Sequence, residues 1–114
     1  MTISRRDAKL SSMRIIKAPF LAAAAKDFPK ARKWLEQWGA IVAAVEWRHL
    51  QDVRAVYPSA DAVKVASGRK VTVFNACHND YRLIVAIHYN RRIVYTLGFL
   101  THAEYSKDKW KEEL

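Results

Sequence analysis

Residues 71–100 read VTVFNACHNDYRLIVAIHYNRRIVYTLGFL, and the way this stretch divides decides the fold class. Three runs, Val71-Thr72-Val73-Phe74, residues 81–89 and residues 93–100, are rich in β-branched and aromatic side chains, which fit a pleated sheet. Between them stand two turn-forming groups, Cys77-His78-Asn79-Asp80 and Asn90-Arg91. The division predicts an antiparallel three-strand meander. A loop over residues 77–80 sets Ala76 opposite Tyr81 and Asn75 opposite Arg82. A turn on Asn90-Arg91 sets Tyr89 opposite Arg92, and therefore Phe99 beside Arg82. At about 3.3 Å per residue, His102 then emerges within about 10 Å of Arg82 at one end of the sheet, with Asn79 in the adjoining loop. A slip of one residue would turn Arg82 to the other face.

Upstream, Met13-Arg14-Ile15-Ile16-Lys17 predicts a further strand at about residues 13–18. Pro19 and the alanines after it predict a helix over residues 19–27, because proline suits the first helical turn and alanine favours helix. Pro29 restarts the helix. Ala31, Trp34, Leu35, Trp38, Ile41, Val42 and Val45 then recur at three-and-four spacing, while Lys30, Arg32, Lys33, Glu36 and Gln37 take the other side. At that spacing the tryptophans read as a core face in preference to a platform for stacking bases. A shorter helix over residues 50–56, with Leu50, Val53 and Val56 on one face, is broken by Tyr57-Pro58-Ser59-Ala60-Asp61. Helices followed by strands imply an α+β domain, with the N-terminal strand and helices packed on one face of a mainly antiparallel sheet.

A chain of 114 residues, 51% hydrophobic, has room for one core. That domain is assigned to residues 13–114. Residues 1–12 (MTISRRDAKLSS) are polar without a sustained period and read as an N-terminal extension: a flexible basic arm, a helical extension, or the product of an upstream start codon. Twenty Lys and Arg against 11 Asp and Glu give a formal charge of +9, which favours a polyanionic partner. Nucleic acid is the first candidate, against the plainer alternative of a domain with a basic surface. No apolar stretch approaches the roughly 20 residues needed to cross a bilayer, and no signal-peptide core is visible, so a cytoplasmic protein without a membrane partner is expected.

Cys77 is the one cysteine, His49, His78, His88 and His102 are scattered, and no CxxC or HxxxH spacing occurs; neither a metal nor a cofactor is expected. Arg82 lies in an otherwise apolar strand, where a guanidinium needs either a structural ion pair or an anion. Thr101-His102-Ala103-Glu104-Tyr105 reads as a helix N-terminus with Thr101 or His102 near the cap. Taken alone, His102 is an ordinary surface residue. Taken together, Arg82, His102, Asn79, Tyr105 and Lys107 supply phosphate binding, proton transfer and base stacking, the needs of RNA cleavage without a metal.

At Val73-Phe74-Asn75, at Asn79-Asp80-Tyr81-Arg82-Leu83-Ile84 and at Thr101-His102-Ala103-Glu104-Tyr105, the chain resembles the HigB toxins of the RelE superfamily. The resemblance runs from residue 13 to about residue 109 and includes the Val53-Arg54 helix before Tyr57-Pro58-Ser59-Ala60-Asp61. It implies a RelE-like fold, ribosome-dependent cleavage of messenger RNA, inhibition of translation, and neutralisation by a HigA-type antitoxin with a helix-turn-helix DNA-binding domain. Similar toxins usually carry glycine just before the asparagine matching Asn79, where this chain has Cys77-His78.

In such cleavage the 2′-hydroxyl of the RNA attacks the adjacent phosphate, leaving a 2′,3′-cyclic phosphate and a 5′-hydroxyl. Arg82 is assigned to the phosphate and Lys107 to a second cation. His102 is assigned to proton transfer, since imidazole as a side-chain type titrates near neutrality. Tyr105 stacks on a base or donates a proton, and Asn79 bonds the sugar or a base edge. Asn75 is a further candidate RNA contact; Arg14, Lys17, Lys64, Arg69 and Lys70 are candidates for ribosomal RNA. Two competing readings are a noncatalytic basic RNA-binding module acting on the ribosome and an interaction protein whose basic face serves only an acidic antitoxin segment.

Removing residues 1–12 is expected to leave the melting temperature, followed by circular dichroism, nearly unchanged, because the segment has no apolar face to bury. A large drop would show that it packs on the domain.

Overall fold

In the computed structural model, which describes residues 13–16 and 19–114, the meander is present as β3 (Lys70–Ala76), β4 (Tyr81–His88) and β5 (Ile93–Thr101). The extension over residues 1–12 and the candidate RNA contact Lys17 lie outside the described residues. Two edge strands complete the sheet. β1 (Arg14–Ile16) runs parallel to β5, and β2 (Asp61–Lys64) runs antiparallel to β3, giving the order β1-β5-β4-β3-β2. β2 was not foreseen from the sequence.

The first hairpin has the expected register, with Ala76 opposite Tyr81 and Asn75 opposite Arg82. At the second, the ladder closes one pair earlier than expected, at His88 and Ile93. Residues Tyr89–Arg91 form a 3-10 turn, and Arg92 adopts a left-handed φ of 57°. Pairing keeps the expected register as far as Val85 and Thr96; Ile84 then faces Gly98, so that Leu97 is an extra residue in β5. Arg82 consequently faces Leu100, and Phe99 faces Leu83, which corrects the expected pairing of Phe99 with Arg82. Side chains alternate along a strand, so Val94 and Phe99, five positions apart, would point to opposite faces without the bulge. With it, both join the same core.

That core lies under three helices, α1 (Pro19–Asp27), α2 (Arg32–Ala44, entered through a 3-10 turn at Pro29–Ala31) and α3 (Leu50–Val56). Ala31, Leu35, Trp38 and Val42 of the predicted stripe are buried, and Trp38 meets Phe74 edge to face at 5.5 Å. The tryptophans therefore build the core. In α3, Val53 is buried but Val56 is 42% exposed. The helix ends there, and Tyr57 turns back onto Phe74 at 5.2 Å in its place.

The opposite face of the sheet carries a second, smaller cluster of Val65, Val71, Val73, Ile84 and Trp110. It is covered by the chain after β5, in the short helices α4 (His102–Ser106) and α5 (Trp110–Glu113). No helix among the described residues is long and apolar enough to cross a membrane. Trp38→Ala is expected to cost about 3–5 kcal/mol in urea denaturation, because it empties a fully buried site; Lys33→Ala, on the exposed side of α2, should stay within about 0.5 kcal/mol of the parent.

Candidate active site

Arg82 is only 7% exposed, and a charged group so placed must be satisfied within the protein. Its Nη1 donates to the carbonyls of Asn79 (2.9 Å) and Tyr81 (3.0 Å), and its Nη2 stands 3.0 Å from Nδ1 of His102. The carbon at the centre of the guanidinium lies over the Tyr105 ring, 5.3 Å from its centroid. No carboxylate reaches ion-pairing distance of Arg82 among the described residues. A guanidinium can only donate, so Nδ1 of His102 accepts, and the hydrogen of the neutral imidazole sits on Nε2. The Nε–H of Arg82 and one hydrogen of Nη2 have no partner among the described residues. Nε and Nη2 share one edge of the guanidinium, the kind of fork that grips a phosphate or carboxylate through two parallel bonds.

Three local features hold the partners in place. The hydroxyl of Thr101 accepts from the Glu104 amide at 3.2 Å, capping α4 as the sequence led us to expect. The amide of His102 donates to the carbonyl of Asp80 at 2.9 Å, tying the start of α4 to the first hairpin loop. Within that loop Cys77, His78 and Asn79 all have positive φ, at 52°, 55° and 91°. None is glycine, and a left-handed backbone costs an ordinary residue about 1–2 kcal/mol. The loop is braced by the Asp80 amide on the Cys77 carbonyl (3.1 Å) and by the Cys77 thiol against the Lys30 carbonyl (3.7 Å). Burial, with help from Asp80, pushes the pKa of this thiol up against the pull of Lys30, which keeps it protonated and donating.

Tyr105 sits between the site and the C-terminal segment. It stacks on Trp110, with centroids 5.1 Å apart and planes 18° from parallel, and its carbonyl accepts from the indole nitrogen at 3.0 Å. Burial raises the pKa of its phenol, against the opposing pull of Lys111 and Arg82. The hydroxyl is thus held as a donor. With Arg82 and Trp110 both engaging the ring, the hydroxyl is the part left to a substrate.

Asn75 is half-buried directly opposite Arg82 and shares its face. Asn79 contributes its carbonyl to Arg82. Lys107 is exposed at the C-terminal cap of α4; at about 100° per residue it lies on the far side of that helix from His102 and Tyr105. Lys64 faces Lys70 across β2 and β3, with Arg69 in the turn between them. Lys70 is five positions along β3 from Asn75, about 17 Å away. Arg14 pairs with Ile93, at the end of β5 remote from Thr101. All four cations are exposed, and the structure puts them at the other end of the sheet from Arg82. Trp110 escaped the sequence reading; its one signal is an aromatic residue alone in a charged tail, KDKWKEEL.

A family model described as HigB toxin, the RelE-like toxic component of a toxin-antitoxin system, matches residues 31–108, more than half of the chain. The chain belongs to this family. The five-stranded, mainly antiparallel sheet with its helices agrees with a RelE-like small domain. As a HigB-family toxin the chain has an antitoxin for a partner. The matched span takes in the hairpin loop, Arg82, His102, Tyr105 and Lys107 and stops short of Trp110. Among curated proteins no match was found.

Because His78 holds a positive φ of 55° without being glycine, His78→Gly is a direct test of the strain. Relief of about 1–2 kcal/mol of left-handed strain outweighs the roughly 0.5–1 kcal/mol of added chain entropy. The urea midpoint should rise by the equivalent of about 0.5 kcal/mol or more; a fall would mean that the imidazole itself braces the loop.

Proposed function

We propose that this HigB-family toxin is a ribosome-dependent messenger-RNA endoribonuclease that uses its own side chains in place of a metal, inhibits translation in the cytoplasm, and is neutralised by a HigA-type antitoxin. The observation that carries the reading is the guanidinium of Arg82, buried without a carboxylate, one edge free and one nitrogen resting on the lone pair of His102. A phosphate seated on the free edge draws Nη2 away from Nδ1. The lone pair of His102 is then available for the proton of the 2′-hydroxyl, whose oxygen attacks phosphorus as the bond to the 5′-oxygen breaks. Tyr105 supplies the proton that the leaving 5′-oxygen takes up. Arg82 stabilises the charge that grows on the phosphate oxygens, the kind of contribution that fixed donors make best in a site shielded from water.

Asn75 and Asn79 address the sugar or a base edge, and Lys107, on the far side of α4, serves a flanking phosphate. Arg14, Lys64, Arg69 and Lys70 make a separate basic end suited to ribosomal RNA, for which Lys17 is a further candidate. So few acid-base groups imply a site completed by its setting, which accounts for the dependence on the ribosome.

Primer extension on message in translating ribosomes tests the roles. Arg82→Ala should cut about a hundredfold to a thousandfold more slowly and His102→Ala about a hundredfold or more. Both should stay folded by circular dichroism and still bind antitoxin, and naked RNA should be a poor substrate for the parent. Folded variants that cut at the parent rate would overturn the assignment in favour of a noncatalytic RNA-binding module.

A further inference from the structure

We propose that Trp110 is a positioning residue for cleavage, acting through the Tyr105 ring to set the tilt of the Arg82 guanidinium; the inference rests on the ribonuclease reading above. The N–H groups of a guanidinium lie in its plane, and Arg82 directs those of Nη1 and Nη2 at the two carbonyls and at His102. Bonds of that kind resist displacement within the plane more than a small tilt out of it, because a hydrogen bond weakens only gradually as its angle opens. The wall against rocking is the ring of Tyr105, 5.3 Å from the guanidinium carbon. Tyr105 belongs to a helix of only five residues, so its ring needs a backing.

Trp110 provides that backing in two ways. Its indole stacks on the Tyr105 ring at 5.1 Å, and its N–H holds the Tyr105 carbonyl at 3.0 Å. The indole in turn is 5% exposed and seated among Val65, Val71, Val73 and Ile84. The segment behind it is fastened to the turn between β2 and β3 by the Ala66 amide on the Lys111 carbonyl at 2.9 Å. A rigid path therefore runs from the sheet, through Trp110 and Tyr105, to the plane of Arg82. The match to the family ends at residue 108, so Trp110 is a feature of this chain outside the matched pattern.

Trp110→Leu removes the ring, Trp110→Phe keeps a ring without the indole N–H, and Val42→Ala opens a hole in the large core on the other face of the sheet. Two readouts are taken on the full chain: the guanidinium proton signals of Arg82 in nitrogen-edited NMR of the free protein, and single-turnover cleavage of ribosome-bound message. Folded Trp110→Leu should lose or broaden the Arg82 signals and cut about tenfold to a hundredfold more slowly, the scale on which a small misplacement acts, with KM unchanged. Trp110→Phe should recover most of both readouts and Val42→Ala should leave both intact. Should Trp110→Leu fail to fold, Trp110→Met makes the same comparison. A folded Leu or Met variant with parent-like Arg82 signals and rate overturns the proposal, as does an equal loss in Val42→Ala. If the parent chain itself does not cut message, the ribonuclease reading fails, and the NMR readout alone decides whether Trp110 holds Arg82.

Discussion

A guanidinium placed inside a β-sheet has to be satisfied by groups that come to it, since leaving it bare would cost more than the fold can absorb. At Arg82 those groups are two backbone carbonyls and an imidazole, and much of the site's architecture follows from bringing them there. The hairpin loop curls over the strand through three left-handed residues so that the carbonyl of Asn79 points back at Nη1. β5 carries its extra residue at Leu97, which places Thr101 opposite Tyr81 and starts α4 beside that loop. The bond from the His102 amide to Asp80 locks the two together. Strain in the loop, the bulge and the helix cap all position one cation.

A carboxylate would have been the simpler partner, but a buried ion pair neutralises the charge that a phosphate needs. Neutral acceptors hold the guanidinium while leaving its charge intact. The same logic divides the molecule. α1 to α3 seal one face of the sheet with the large core, whereas the C-terminal segment covers the other face only as far as the smaller cluster around Trp110. Arg82 sits where that cover stops. The exposed cations Arg14, Lys64, Arg69 and Lys70 stand at the remote end of the sheet, so the basic character of the chain is spread along a surface longer than the Arg82 site occupies.

Much of this was legible in the amino acids because period and turn chemistry are local. The three long strands, the Trp38 face of α2, the first hairpin register and the Thr101 cap each follow from residues within a few positions of one another. The second hairpin register held only as far as Thr96. Beyond it, Leu97 gives no local sign of being an extra residue; the bulge is imposed by the need to bury Val94 and Phe99 together. β2 escaped because Asp61-Ala62-Val63-Lys64 has only two apolar side chains, adjacent and so without strand alternation, and exists as an edge paired to β3. Val56 was misjudged because helical spacing cannot tell that Tyr57 takes its place on Phe74. Arg82, His102, Asn79 and Tyr105 were singled out by chemistry and register, and the four lie in contact around Arg82. Lys107 lies on the far side of α4 from His102 and Tyr105, and Trp110 was hidden, since a residue that stacks on another carries no chemistry of its own.

The central claim is that this constellation makes the 2′-hydroxyl of the message attack its own phosphate, with the protein only aligning groups and moving protons. The most direct measurement is the chemistry of the ends left on message cut in translating ribosomes, read by mass spectrometry of the fragments. The account predicts a 2′,3′-cyclic phosphate, or the monophosphate that follows its hydrolysis, facing a 5′-hydroxyl. A 3′-hydroxyl facing a 5′-phosphate would mean that water attacked in place of the sugar, and would contradict it.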